Sequence, residues 1–118
     1  MDAIQKRNVA LARLNVLLDD NKKVLRNFKQ DLEEDMVGAF SWGDDAVRAA
    51  VCCKHICRSI ESLRDNPHAG VEPRIEFYQK EVFRAGRTMH SSTSAMRNLV
   101  AAAELEVMLQ LLELFSSI

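Results

Sequence analysis

An all-α fold is what this chain of 118 residues predicts, on three observations. Apolar residues recur at helical spacing along three long stretches, and no stretch alternates with the period of two that strands require. Strong loop signals gather at only two places, "GAFSWGDD" and "DNPHAGVEP". Those breaks divide the chain into three helices, over residues 3–39, 44–65 and 73–116, inside a single domain spanning residues 1–118. The expected architecture is an antiparallel helical bundle completed by dimerisation, with a fourth helix if the last one breaks between Gly86 and Ser94.

The first helix carries a seam. Ile4, Leu11, Leu18, Leu25 and Leu32 recur every seventh residue, with Leu14 and Phe28 at companion positions, the pattern of coiled-coil-like packing. Because the seam keeps its phase through "DDNKK", Asn21 reads as a polar residue that sets register rather than as a turn. The cluster "DLEED" then puts carboxylates at a helix C-terminus, where the dipole disfavours them, so it reads as solvated surface. Trp42, in the loop that follows, reads as an anchor for that loop.

The second helix is expected to begin at Asp44, a capping carboxylate, with Asp45 near the positive end of the dipole, and to stop before Pro67. It contains "AVCCKHICRSI", residues Ala50 to Ile60, which holds all three cysteines. On a wheel of 100° per residue, Ala46, Ala49, Ala50, Ile56, Ile60 and Leu63 fill one arc of about 160°. Cys53 and Cys57 lie in its middle and Cys52 at its edge. His55 projects from the opposite, polar side, with Arg48, Lys54, Arg58, Ser59 and Ser62. One ion could not gather these ligands. Residues four apart keep their Cβ atoms about 5–6 Å apart, where a disulfide needs about 3.8 Å, so Cys53 and Cys57 read as core thiols. No metal or other cofactor is expected. Cys52, as the most exposed cysteine with Lys54, His55 and Arg58 to favour its thiolate, is the position for a thiol-based sensor.

In the third segment Pro73 suits the first turn of a helix. From Ile75 an apolar stripe runs through Tyr78, Val82, Gly86, Met89, Met96, Val100, Val107, Leu111, Leu114 and Ile118 without losing phase. One long helix is therefore expected, although "GRTMHSSTS" is a poor helix former that could break it. The face opposite the stripe reads Lys80, Arg84, Arg87, Ser91, Ser94 and Asn98, then changes to Ala102, Leu105, Leu109 and Leu112. The C-terminal half is apolar almost all round. Three helices cannot cover it, so Leu105, Leu109, Leu112 and Phe115 are the expected homodimer interface.

Composition narrows the function. A net charge of -1, with no long charged tail, argues against adhesion to nucleic acid or anionic membrane through overall charge. The run "LVAAAELEVMLQLLELF" is long enough for a membrane span, but Glu104, Glu106, Gln110 and Glu113 would be costly in lipid, so no membrane is expected. The start "MDAIQKRNVALARL" lacks the apolar core of a secretory signal, and an odd cysteine count suits a reducing compartment, cytoplasmic or nuclear. No phosphate-binding Gly-rich loop, His-Glu-x-x-His or Glu-x-x-His is present, and His90 beside Ser91 and Ser92 points away from them on a helix; no enzyme is expected.

The leading expectation is a homodimeric protein-interaction or assembly module with a protein partner. The alternative is sequence-independent binding of double-stranded RNA through two basic helix faces. Arg48, Lys54, His55 and Arg58 would supply one; Lys80, Arg84, Arg87, Ser91 and Ser94 would supply the other. Residues 74 to 98 hold five basic and two acidic side chains, and basic residues interleaved with hydroxyls suit phosphate oxygens. Long helices carrying such strips twice in a dimer would span consecutive grooves of a duplex. That architecture is similar to that of small helical RNA-silencing suppressors from viruses, a resemblance of shape and charge that implies duplex binding. No exposed aromatic pair for stacking on single-stranded bases is expected.

Overall fold

The structure, a computed structural model, describes residues 1–68, 70–91 and 93–118, and the side chains of residues 90 and 91 lie outside that description. Among the described residues there are five helices and no strands: α1 (Ala3–Glu34), α2 (Met36–Phe40), α3 (Gly43–Asp65), α4 (Glu72–Ser91) and α5 (Ala95–Ser116). None is long and apolar enough to cross a membrane.

Each boundary has a local chemical cause. Asp2 opens α1 with a capping box: the Gln5 amide donates to its carboxylate at 2.8 Å, and the Asp2 amide donates to Gln5 Oε1 at 2.9 Å. The helix continues through Asn21, whose Nδ2 donates to the Leu17 carbonyl at 2.8 Å. It stops at Asp35 instead of running to Ala39. The Asp35 carboxylate accepts the Gly38 amide at 3.1 Å and starts α2. A short carboxylate that can bond a neighbouring amide favours a cap over a helix interior. The acidic cluster "DLEED" thereby ends at the N-terminus of a new helix, the end the dipole favours for a negative charge. Gly38 suits this cap, because a Cβ there would collide with the Asp35 carboxylate.

The cap expected at Asp44 is not formed. Trp42 occupies the cap position without a side-chain bond, and Asp44 and Asp45 both fall in the first turn of α3, where they act through the dipole. Trp42 does pin its loop. Its indole N–H donates to Asp31 at 3.1 Å, and its ring meets Phe28 edge-on with centroids 4.9 Å apart. Between α3 and α4, Gly70 takes the left-handed conformation with φ of 71°.

The last long helix is broken, at the place where the sequence made it weakest. Ser94 accepts the Arg97 amide through Oγ at 3.3 Å and caps α5. The chain reverses there, and α4 and α5 pack antiparallel, with Arg84 beside Glu104 and Tyr78 against Phe115. This reversal covers α5 from within the chain. Ala101, Ala103, Val107, Met108, Leu111 and Phe115 are all buried. A continuous helix would have left that surface for a partner to cover.

The helices zigzag between two layers. α1 runs antiparallel to α3, with Arg7 bonded to the Leu63 carbonyl at one end and Asp31 to Trp42 at the other. α3 packs on α5 and α5 on α4, while α1 meets α5 only slightly, where Arg13 reaches Ser117 at 3.0 Å. The overall dimensions, 50 × 34 × 22 Å, match the length of α1 and the thickness of two helices. The α1 seam is only partly used. Leu14 and Leu18 are buried, whereas Ile4 stands 65% exposed, because the 23 residues of α3 are too few to follow all 32 of α1. The zigzag leaves a cleft between α3 and α4, with α5 beneath.

Candidate functional site

The cleft is built on a buried polar contact. Tyr78 falls in the apolar stripe of α4 and is wholly buried, so its hydroxyl needs a partner inside the protein. It donates to Ser59 Oγ of α3, which in turn donates to the His55 carbonyl at 3.0 Å. Arg74 clamps the pair: Nε and Nη2 donate to the Tyr78 oxygen at 3.2 and 3.1 Å, and Nη2 also to Ser59 Oγ at 3.2 Å. Its guanidinium lies 4.5 Å from the Phe77 ring centroid and 4.8 Å from that of Tyr78. Burial pushes the Tyr78 hydroxyl up, with Ser59 and Arg74 opposing, so it stays a neutral donor at physiological pH. Arg74 has no carboxylate partner among the described residues; hydroxyls and rings alone hold it.

The walls add charge of both signs. Lys54 and Arg58, one turn apart on α3, are exposed and form no ion pair among the described residues. Across the cleft, Arg84 donates to Glu81 at 2.7 and 2.9 Å and to Glu104 at 3.3 Å, contacts that hold its guanidinium above its ordinary pKa. Glu104 also lies 3.5 Å from His55 Nε2. That nitrogen is buried and has no hydrogen-bond partner, and His55 as a whole is only 8% exposed. Burial pulls its pKa below the usual 6.5, against the opposing pull of Glu104, which leaves the ring neutral at pH 7. Together with Met108 these side chains enclose about 450 Å³. Four cations face two carboxylates, a lining of net +2 in a chain whose total is -1.

Of the residues expected to bind anions, four meet here, Lys54, His55, Arg58 and Arg84, joined by Ser59 from the expected polar face of α3. His55 requires a correction, since the face assigned to solvent is covered by α5. The rest of the expected basic surface does not join them. Arg48 lies between Asp45 at 3.6 Å and Glu106 at 3.9 Å. Lys80 pairs with Glu76 at 3.5 Å, Arg87 lies 6.0 Å from the Phe83 ring centroid, and Ser94 caps α5. The side chain of Ser91 lies outside the described residues. The strip is cut where α4 ends. Nor is α4 free of exposed aromatics: Phe77, in the cleft wall, is 41% exposed and Phe83 more so.

Of the leucine-rich surface expected to dimerise, Phe115 is in the core, 5.2 Å from Tyr78 between centroids. Leu105 and Leu112 are half-buried, and only Leu109, at 48%, is open. The cysteines also exchange places. Cys52 is buried while Cys53 and Cys57 are partly exposed, because packing by both α1 and α5 centres the buried arc of α3 on Cys52, Ile56, Ser59 and Leu63. Burial, then Glu106 and Cys53, push the Cys52 thiol to about 11, the opposite of the activation a sensor needs. Among the described residues no three His, Cys, Asp or Glu side chains are grouped to hold a metal ion.

Sequence reasoning missed Arg74, Ser59 and Tyr78 as a unit, and Glu81 and Glu104 as its neighbours. Two signals pointed that way: a tyrosine inside an apolar stripe, and a glutamate inside the most apolar helix, each needing a polar partner when buried. Comparison with protein-family models, with curated proteins and with solved structures gives no match, so the site is read from its own geometry.

Proposed function

We propose that the chain is a non-enzymatic binding module that holds an anionic, phosphate-bearing partner in the cleft between α3, α4 and α5. The observation that supports this reading is the uncompensated charge of Lys54, Arg58 and Arg74 around a concave site. Such groups neutralise phosphate oxygens without reading bases, and Arg74 is already oriented by Ser59 and Tyr78. RNA, the alternative to a protein partner expected from the sequence, is the partner class taken up here, engaged at the cleft rather than along a continuous strip. The test is titration with a short RNA at about 50 and about 200 mM salt. Affinity should fall with salt, and Lys54→Ala/Arg58→Ala should weaken it about tenfold or more while Arg87→Ala changes little. Absence of salt-sensitive binding at micromolar protein removes the reading.

Assembly with a second copy of the chain has separate support. The surface is 7422 Å², against about 6,500 Å² for a compact monomer of 13.4 kDa. The radius of gyration is 15.9 Å, against about 13.5 Å for this length. Met36, Val37 and Phe40 all stand exposed on α2, which makes that corner the proposed contact. Light scattering on the purified protein should give the mass of a dimer, and of a monomer for Val37→Glu; a wild-type monomer at micromolar concentration excludes it.

A further inference from the structure

We propose that the cleft takes a nucleotide bearing a phosphomonoester, free or as the terminal residue of an RNA, with the phosphate among Lys54, Arg58 and Arg74 and the base on Phe77. This rests on the phosphate-binding reading above and narrows it in three respects.

Charge is the first. The lining sums to +2 with His55 neutral. A phosphomonoester carries about -1.5 to -2 at pH 7, whereas a backbone diester carries a single charge. The monoester matches the lining; the diester leaves half of it uncompensated. Arg84, already shared between Glu81 and Glu104, acts as the rim of the site, leaving Lys54, Arg58 and Arg74 as the cations with no carboxylate to give up.

Shape is the second. The recess lies between two helices and has a third as its floor, with Met108 and Glu104 contributed from below. A phosphate inside a duplex is flanked by its neighbours on a convex surface and cannot enter such a recess. A terminal phosphate can. The volume of about 450 Å³ falls within the ~300–1,000 Å³ of small-molecule sites.

The third is the wall beside the cations. Phe77 is the aromatic of the cleft that keeps a large exposed area, and Arg74 lies against its ring. Arg74 covers one face of the Phe77 ring, and the part of the ring left exposed beside the charge is the kind of aromatic surface on which a base stacks without sequence preference. Phosphate and base are therefore both provided for, and from neighbouring residues.

The experiment uses the full chain with adenosine 5′-monophosphate, adenosine, inorganic phosphate, and one short single-stranded RNA carrying either a 5′-phosphate or a 5′-hydroxyl. Calorimetry should show the monophosphate binding about tenfold or more tightly than inorganic phosphate, with no binding of adenosine. Phe77→Ala and Phe77→Leu should bring the monophosphate down to the level of inorganic phosphate; the leucine variant keeps the packing against Arg74. Lys54→Ala/Arg58→Ala should lose at least about tenfold, and Arg26→Ala, on the far half of α1, nothing. The 5′-phosphorylated RNA should outbind its 5′-hydroxyl counterpart by about tenfold. If it also outbinds the monophosphate, the natural ligand is a chain terminus; if the two are equal, it is a free nucleotide, and either result supports the proposal. Equal binding of the two RNAs, both weakened by Lys54→Ala/Arg58→Ala, overturns this inference and leaves the phosphate-binding reading intact. Failure of every probe to bind overturns both.

Discussion

Replacing Tyr78 by Phe removes a single oxygen from the contact that joins α3 and α4 in the cleft and tests whether that contact is built as described. The ring is wholly buried and its packing is kept, so no cavity opens. What is lost is the donor to Ser59 and the acceptor of two Arg74 bonds, at 3.2 and 3.1 Å. A hydrogen bond to a charged group contributes about 1.5–3 kcal/mol, and half-exposed Arg74 can recover part of it from water, which places the loss near 1.5 kcal/mol. A chain of 118 residues has a melting entropy of about 0.25 kcal/mol/K, so Tm should fall by about 6 °C. Circular dichroism melting reads this directly. Ser59→Ala and the double variant complete a cycle in which the two changes should be non-additive by about 1 kcal/mol. A shift within about 1 °C, or simple additivity, would refute the coupled Ser59–Tyr78–Arg74 contact.

Three further outcomes follow from the same structure. His55 is held below its usual pKa of 6.5, chiefly by burial, so the unfolded chain binds more protons; its contribution is fully present above about 6.5 and is lost as pH falls toward the lower folded value. Denaturant melts of His55→Gln should therefore lose less stability than the wild type between about pH 7 and about pH 5.5, and parallel losses would contradict the assignment. Trp42→Ala removes the bond to Asp31 and the edge contact with Phe28, at about 2–3 kcal/mol, and should expose the α1–α2 corner to limited proteolysis; an unchanged cleavage pattern would contradict the anchor. Alkylation of the native protein followed by mass spectrometry should label Cys53 and Cys57 before Cys52, whose thiol is buried and pushed to about 11; first labelling at Cys52 would restore the sensor.

The helical class and the second break were legible because periodicity, Pro67, Gly70 and Pro73 act locally, whereas most of "GAFSWGDD" is helical, in α2 as far as Phe40 and in α3 from Gly43. The caps were not legible. Asp35 and Ser94 can each bond a nearby amide or stay helical, and at Ser94 the break also gains something distant, the covering of α5 when α4 folds back. The same reversal determined how the basic residues were distributed. Lys54, Arg58 and Arg84 could be recognised as basic face residues, yet which of them converge depends on the turn that divides α4 from α5. His55 and Cys52 were misplaced for a related reason, since a single helical wheel assumes one packed side and α3 has α1 on one side and α5 on another. Ser59, Arg74 and Tyr78 lie 15 and 19 residues apart across two helices, a separation no local pattern encodes.

The most direct test of the central claim is a ¹H–¹⁵N correlation spectrum of the full chain titrated with inorganic phosphate at constant ionic strength. A phosphate site in the cleft predicts saturable shifts confined to residues 54–59 of α3, 74–84 of α4 and 104–108 of α5, and lost in Lys54→Ala/Arg58→Ala. Shifts that do not saturate, or that fall on α1 and α2 instead, would contradict it.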